Sequence, residues 1–357
     1  MSDLDRPSGW PLKGLGASFE ARRLVLAAVG VLLLRAGWSG LDRLFGGPSV
    51  APSLGVGLGP WGDLGAVPSA LLTALGLLAE PLAALVGPLL VAFRGGVAAS
   101  VAAHALLAAI WTLLVGGLVG VAICRVAALR VAGGEGAGML SAARFAARRL
   151  VASSLTPMLV VLAAILLAIP GVLWGLLYRI PGRTGPILGG VGFVVPLAFG
   201  LLMAWVLASL TASWPLLVAS VAAEGEDGFD ALSRSTSYAI QRPGRYALMT
   251  LGAWGLGVVG LGVVALLRFV VVRLAVGPVS AGAGAGRLEA ALGDGPHAFW
   301  LGVVGALAYA WIHSYFWTFA TLAYLDLRRE VDGTPAADVY LPAHDGDTFA
   351  GEVGPPK

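Results

Sequence analysis

The chain has 357 residues, of which 58% are hydrophobic and only 12% charged, with mean hydropathy +0.86 and formal net charge +3. A soluble domain carries roughly 25% charged residues, so this composition leaves too little polar surface to cover a water-soluble globule. Helices and closed barrels alone satisfy their backbone polar groups in lipid. Barrel strands alternate apolar and polar residues, whereas the apolar runs here are long and continuous, so the expected fold is an all-α polytopic transmembrane bundle.

The polar stretch from Ser2 to Arg23 precedes the first apolar run, and no small-residue cleavage site follows that run. A cleavable signal peptide is therefore not expected. Arg22 and Arg23 abut Leu24 as they would at the cytoplasmic start of an anchoring helix. The first candidate span covers 24–45 and contains Arg35 and Trp38. A Gly/Pro-rich stretch follows over 46–62. The segment 64–93 is apolar but carries Pro68, Pro81, Pro88 and Glu80. Five strong spans then follow at about 98–124, 151–178, 187–221, 246–276 and 298–324, each near the 20 residues that cross a bilayer, or longer and tilted.

Charge decides the status of 64–93. If that segment spans, then Arg125, Arg130, Arg144, Arg148 and Arg149 fall outside, against the tendency of cytoplasmic loops to hold Lys and Arg. If it does not, fifteen of the 23 Lys and Arg lie inside, five outside and three within spans. The sequence thus predicts six spans plus a proline-broken segment lying on, or dipping into, the outer face. Both termini are then cytoplasmic in a multi-pass protein of the cell membrane. The expected organisation is a cytoplasmic segment 1–23, a transmembrane domain 24–325 and a disordered, solvated cytoplasmic tail 326–357.

Two cytoplasmic connectors resemble each other at an offset of 90 residues. One reads VAGGEGAGMLSAARFAARR from Val131, the other VAAEGEDGFDALSRSTSYA from Val221. Gly138 matches Gly228 and Arg144 matches Arg234. The pattern suggests a parallel repeat, 99–178 and 187–276, each a span, a glycine turn, a short amphipathic interface helix and a second span. In the second connector Asp227 is placed to cap a helix. Phe229, Leu232, Thr236 and Ala239 share one face. Asp230 and Arg234 are spaced for an i,i+4 pair, and Pro243–Gly244 ends the helix. These helices are expected to brace the bundle, or to dock a protein partner or an anionic lipid headgroup.

The run Glu224–Ser235, with its F-D-A-L-x-R-S core, resembles cytoplasmic helices of the YciC-type proteins and of the membrane domain of glycerophosphoryl diester phosphodiesterases. With Arg125–Ala132 and Ser233–Ala239, it is also similar to multi-span proteins of planctomycete-type bacteria. The resemblance covers about a third of the chain, Arg125–Arg245. It implies a bacterial inner-membrane protein. The phosphodiesterase's catalytic groups belong to a separate soluble domain with no counterpart here, so no activity is implied.

Ionisable residues inside spans are functional candidates because charge in hydrocarbon is expensive. Arg35 and His313 are the leading ones; His104, Arg268 and Arg273 lie nearer span ends, where snorkelling or interhelical hydrogen bonding explains them. Arg144 and Arg234 are candidates at the interface helices. Cys124, the single cysteine, is expected to be packed and inert. No catalytic, cofactor-binding or metal site is predicted: phosphate-binding and nucleophile-elbow motifs are absent, and His and Cys are few. Gly116 and Gly120 form a G-x-x-x-G pair expected to serve helix packing. The functional expectation is a non-enzymatic scaffold or partner- and lipid-docking membrane protein. A small-solute or lipid transporter using Arg35 and His313 is the alternative, and a membrane-embedded lipid enzyme ranks last.

Overall fold

The computed structural model describes residues 10–46, 67–133, 138–283 and 295–341. Among these there is no strand. The helices are α1 (Trp10–Ser18), α2 (Ala21–Phe45), α3 (Val67–Ala92), α4 (Ala99–Val131), α5 (Met139–Arg148), α6 (Thr156–Gly175), α7 (Thr184–Val191), α8 (Val194–Glu224), α9 (Gly228–Gln241), α10 (Pro243–Ala283) and α11 (Gly295–Asp332). A π turn, Val151–Leu155, leads into α6. It ends just before Pro157, which has no N–H to donate to the Ser153 carbonyl, so the turn widens there. Among the described residues seven helices are long and apolar enough to cross a membrane: α2, α3, α4, α6 with its flanking turns, α8, α10 and α11.

Helix directions follow from their contacts. On α2, Gly30 meets Val119 and Asp42 meets His104 of α4, so the two are antiparallel. Along α4 and α8, Gly116 meets Trp214, Gly120 meets Val218, and Arg125 donates to the Ala222 carbonyl, so these two are parallel. Ser220 and Glu224 of α8 meet Tyr324 and Arg328 of α11, which runs the same way. The last two helices are antiparallel, with Arg245 beside Asp326 and Gly260 beside Trp311. Likewise α6 and α8, since Trp174 near the end of α6 donates to Gly189 just ahead of α8. Helices α2, α4, α6, α8, α10 and α11 therefore alternate in direction, and the start of α2 shares an end of the bundle with the end of α11.

The segment around α3 departs from expectation. It is one continuous helix, not a proline-broken one, and it is inserted in the bundle rather than laid on its outer face. Leu78, Glu80, Ala84, Leu85 and Leu89 are buried. Pro88 cannot donate to the Ala84 carbonyl, but Thr112 Oγ1 of α4 lies 3.3 Å from it, sharing its one proton between that carbonyl and its own Ala108 carbonyl at 2.9 Å. A neighbouring helix thus places a shared donor on the group that proline frees, as proline in a membrane helix requires. It forms a hairpin with α4 across the turn 93–98, and so runs parallel to α2. The six alternating helices remain, with α3 as an additional helix among them.

The centre of the bundle is α4, buried on nearly every side from Ala105 to Leu129, as a helix apolar all round must be. Gly116 and Gly120 lie under the indoles of Trp214 and Trp317, themselves edge to face at 5.3 Å. By contrast the far halves of α6 and α8 pair with each other and leave Leu166, Val172, Leu197, Leu201 and Trp205 exposed, an arrangement stable in acyl chains.

The terminal boundaries also differ from expectation. Helix α1 packs against α10 and α11, with Ser314 donating to the Ser18 carbonyl at 2.8 Å. At the other terminus α11 runs through to Asp332, past the predicted boundary at 326, and residues after it fold back: Tyr340 N–H donates to the Ala223 carbonyl at 2.8 Å. The rest of the predicted tail, 342–357, and the Gly/Pro-rich stretch after Gly46 lie outside the described residues.

Candidate functional site

Two polar regions stand out. The first gathers the arginines of the predicted cytoplasmic connectors at one end of the bundle. Arg125 is buried and donates to the carbonyls of Ala222 at 3.0 Å and Tyr340 at 2.6 Å, with its guanidinium 4.5 Å from the Phe145 ring centre. Arg328, also buried, binds Glu224 and the carbonyls of Pro335 and Asp338. Glu224 in turn accepts from Tyr324. Buried Arg23 joins Glu20 at 3.2 Å, the Ala17 carbonyl and Thr318. Guanidinium groups removed from water need several acceptors in a fixed fork, and residues 335–340 supply three such carbonyls, those of Pro335, Asp338 and Tyr340, by folding back.

Asp227 caps α9 as predicted, accepting from the backbone N–H of Phe229 at 2.8 Å and Asp230 at 3.1 Å. The predicted apolar face of α9 is divided, with Leu232 and Ala239 packed against the core and Phe229 turned outward. Gly228, Ala231, Ser235 and Tyr238 are buried while Phe229 is 66% exposed. The reason is close approach: Gly228 sits against Thr156 and the Ala152 carbonyl, leaving no room for a larger side chain. Arg234 does not form the predicted pair with Asp230. It turns to Glu226 at 2.6 Å and to Asp332 at 4.0 Å. Burial raises the Glu226 carboxyl above its usual value despite this partner, with Arg234 opposing the shift. The matching Arg144 on α5 is exposed, beside exposed Arg148 and Leu140. The two arginines of the predicted repeat thus occupy different surroundings.

The second region lies at the middle of the bundle. Glu80, midway along α3, faces His313, midway along α11: Glu80 Oε2 and His313 Nε2 are 3.3 Å apart, each side chain 9% exposed. The approach is too poorly aligned for a hydrogen bond, and both Glu80 oxygens and His313 Nε2 are left without an aligned partner. The Tyr309 ring lies 5.5 Å from His313, and its hydroxyl is close enough to feel the charges of Glu80 and Arg35. A small cavity of ≈ 20 Å³ adjoins His313, bounded by Gly30, Thr112, Gly116 and Trp214 among others. A larger apolar one of ≈ 80 Å³ lies between α3, α8, α10 and α11 and is lined by Leu78, Tyr315 and Phe319.

Of the predicted candidates, His313 therefore sits in a polar cluster, and Arg35, itself exposed, lies near it. His104 is buried against Asp42 at 3.1 Å and stacks on Phe45. Arg273 lies over Phe269. Cys124 is buried with its thiol 3.4 Å from the Trp317 carbonyl. Glu80 and Tyr309 were not singled out from sequence; the signal was there in Glu80, the one acid in the apolar run 64–93. Among the described residues no three His, Cys, Asp or Glu side chains gather as metal ligands would.

The fold defines a multi-pass integral membrane protein of the all-α class. No family model matches the sequence, and neither a curated protein nor a solved structure shows significant similarity to it.

Proposed function

We propose that the chain is a non-enzymatic scaffold of the bacterial cytoplasmic membrane, with both termini in the cytoplasm and its arginine-rich end docked on anionic lipid headgroups. The supporting observation is α5: its buried face is alanine, Ala142 and Ala146, while Leu140, Arg144 and Arg148 point outward together. An apolar residue beside two exposed guanidinium groups suits the boundary between acyl chains and phosphates. Cytoplasmic placement of this end agrees with the arginine excess of its connectors. Bacterial placement rests on the resemblance of Glu224–Ser235.

Lipid retained through gentle solubilisation tests this reading. Anionic lipid should be enriched over its share of the membrane, and the double substitution Arg144→Gln/Arg148→Gln should remove the enrichment. Retained lipid of bulk composition in the wild type contradicts it. A second reading, small-solute transport, is favoured by the Glu80–His313 pair, since intramembrane acids and histidines mark proton and solute paths in transporters. Unchanged uptake across a solute panel after Arg35→Ala and His313→Ala would count against that reading.

A further inference from the structure

We propose that Glu80, His313 and Tyr309 form a proton-binding site in the interior of the bundle, with a single proton from water as its ligand and the seating of α3 on α11 as its readout. The contrast with the arginine-rich end carries the inference. There Glu224 accepts from Arg328 and Tyr324, and Arg328 reaches two further carbonyls. Such a pair is tied to several fixed acceptors, though Arg328 Nε has none, and its proton inventory is fixed because arginine does not titrate in proteins. At the centre, a carboxylate faces an imidazole at 3.3 Å without hydrogen-bond alignment, with the Tyr309 hydroxyl beside it, and neither of its oxygens has an aligned donor. Both members can gain or lose a proton, and a proton is the smallest group that satisfies an open carboxylate oxygen in an apolar interior.

Charge balance sets the stoichiometry. Written as carboxylic acid with neutral imidazole, the form without separated charge that an apolar interior favours, the pair holds one proton and no net charge. A second proton leaves a net positive charge in hydrocarbon; loss of the first leaves a net negative one. Both are disfavoured, so the pair titrates as a unit. The facing groups are few. Tyr309 on α11 and Arg35 on α2 bring titratable or charged groups. The facing positions of α4 and α8 bring Thr112 and Trp214, and those of α10 bring Gly257 and Gly260 against the same stretch of α11. The cavity beside His313, ≈ 20 Å³, is large enough for about one water, the carrier a proton needs to reach the site. The site holds whether the protein is a scaffold or a transporter.

Infrared pH-difference spectroscopy of the full chain in zwitterionic nanodiscs reads the site directly. As pH falls, a protonated-carboxyl band of the apolar type should grow in. It should vanish in Glu80→Gln, and its midpoint should move by about one pH unit or more in His313→Gln, which removes the coupled charge. Identical difference spectra in wild type and Glu80→Gln would overturn the proposal. If neither variant folds, wild-type protein with carbon-13 in its glutamate carboxyls decides: the apolar-type band must shift with the label. A band that does not shift, or none at any pH, overturns it.

Discussion

The arginine-rich end and the centre of the bundle both bury charge, and they do so in opposite ways. At the end, Arg23, Arg125 and Arg328 are each held by two or more carbonyl, hydroxyl or carboxylate oxygens. At the centre, Glu80 and His313 have each other and the neighbouring Tyr309, with no aligned hydrogen bond among them. A pair tied to several backbone carbonyls fixes geometry. An unsaturated titratable pair leaves a degree of freedom, which is why the first region reads as architecture and the second as a site. Removing one member of a buried pair strands the other at about 3–5 kcal/mol, whereas replacing both by apolar residues is often neutral or stabilising.

The largest effects should come from breaking that comparison at its strongest points. Arg328→Met strands Glu224 and releases the segment from Pro335 to Tyr340, and should destabilise by about 3–5 kcal/mol in an unfolding titration. The exposed pair of Arg242 with Glu330, 3.4 Å apart, is the control, with about 1 kcal/mol or less lost in Arg242→Met. At the centre, His313→Leu should cost a similar 3–5 kcal/mol, but Glu80→Leu/His313→Leu should recover most of it. Recovery at the centre without any equivalent at the arginine end would sharpen the contrast. No recovery would mean that Glu80 is held by something besides His313.

Smaller effects test the framework around both regions. Gly120→Leu would drive a side chain into Trp317 and Val218, both within 2.9 Å of a Cβ at that position, and should lower the unfolding midpoint through a loss of about 1–3 kcal/mol. Asp227→Ala removes the cap of α9 and should cost about 1 kcal/mol, with faster amide exchange at Phe229 and Asp230 as its local signature. The smallest effect is a pH slope. The folded Glu226 carboxyl titrates above its usual 4.5 because it is buried, so folding opposes its ionisation. Its stabilising share is present below pH 4.5 and is lost as pH rises through the folded value. Glu226→Gln should flatten that shallow decline in the unfolding midpoint.

Much of the fold was legible because bilayer physics is strict. Continuous apolar runs identify helices, and the Asp227 cap follows from side-chain chemistry two to three residues away. What was not legible depended on neighbours far along the chain. Pro88 looks like a helix breaker in sequence, whereas in the fold Thr112 of α4 places a shared hydroxyl against the carbonyl it frees. The Pro/Gly/Asp run after Asp332 reads as a solvated tail, yet Arg125 and Arg328 draw it in for its carbonyls. Phe229 shares the apolar face with Leu232 and Ala239 by periodicity, but with Gly228 packed on Thr156 only the latter two reach the core. At the site, His313 was visible as an ionisable group in mid-span. Its partner was obscured, because the prolines and arginine excess that argued against 64–93 as a span also drew attention away from Glu80.

The proposed orientation can be tested most directly with engineered cysteines, since buried Cys124 gives a silent background. Ala147 on α5 and Ser233 on α9 are exposed at the arginine-rich end, and Gly95 is exposed in the turn between α3 and α4 at the other. In intact cells a membrane-impermeant maleimide should label Gly95→Cys, and should reach Ala147→Cys and Ser233→Cys only after permeabilisation. Labelling of Ala147→Cys or Ser233→Cys in intact cells, with Gly95→Cys protected, would contradict the account.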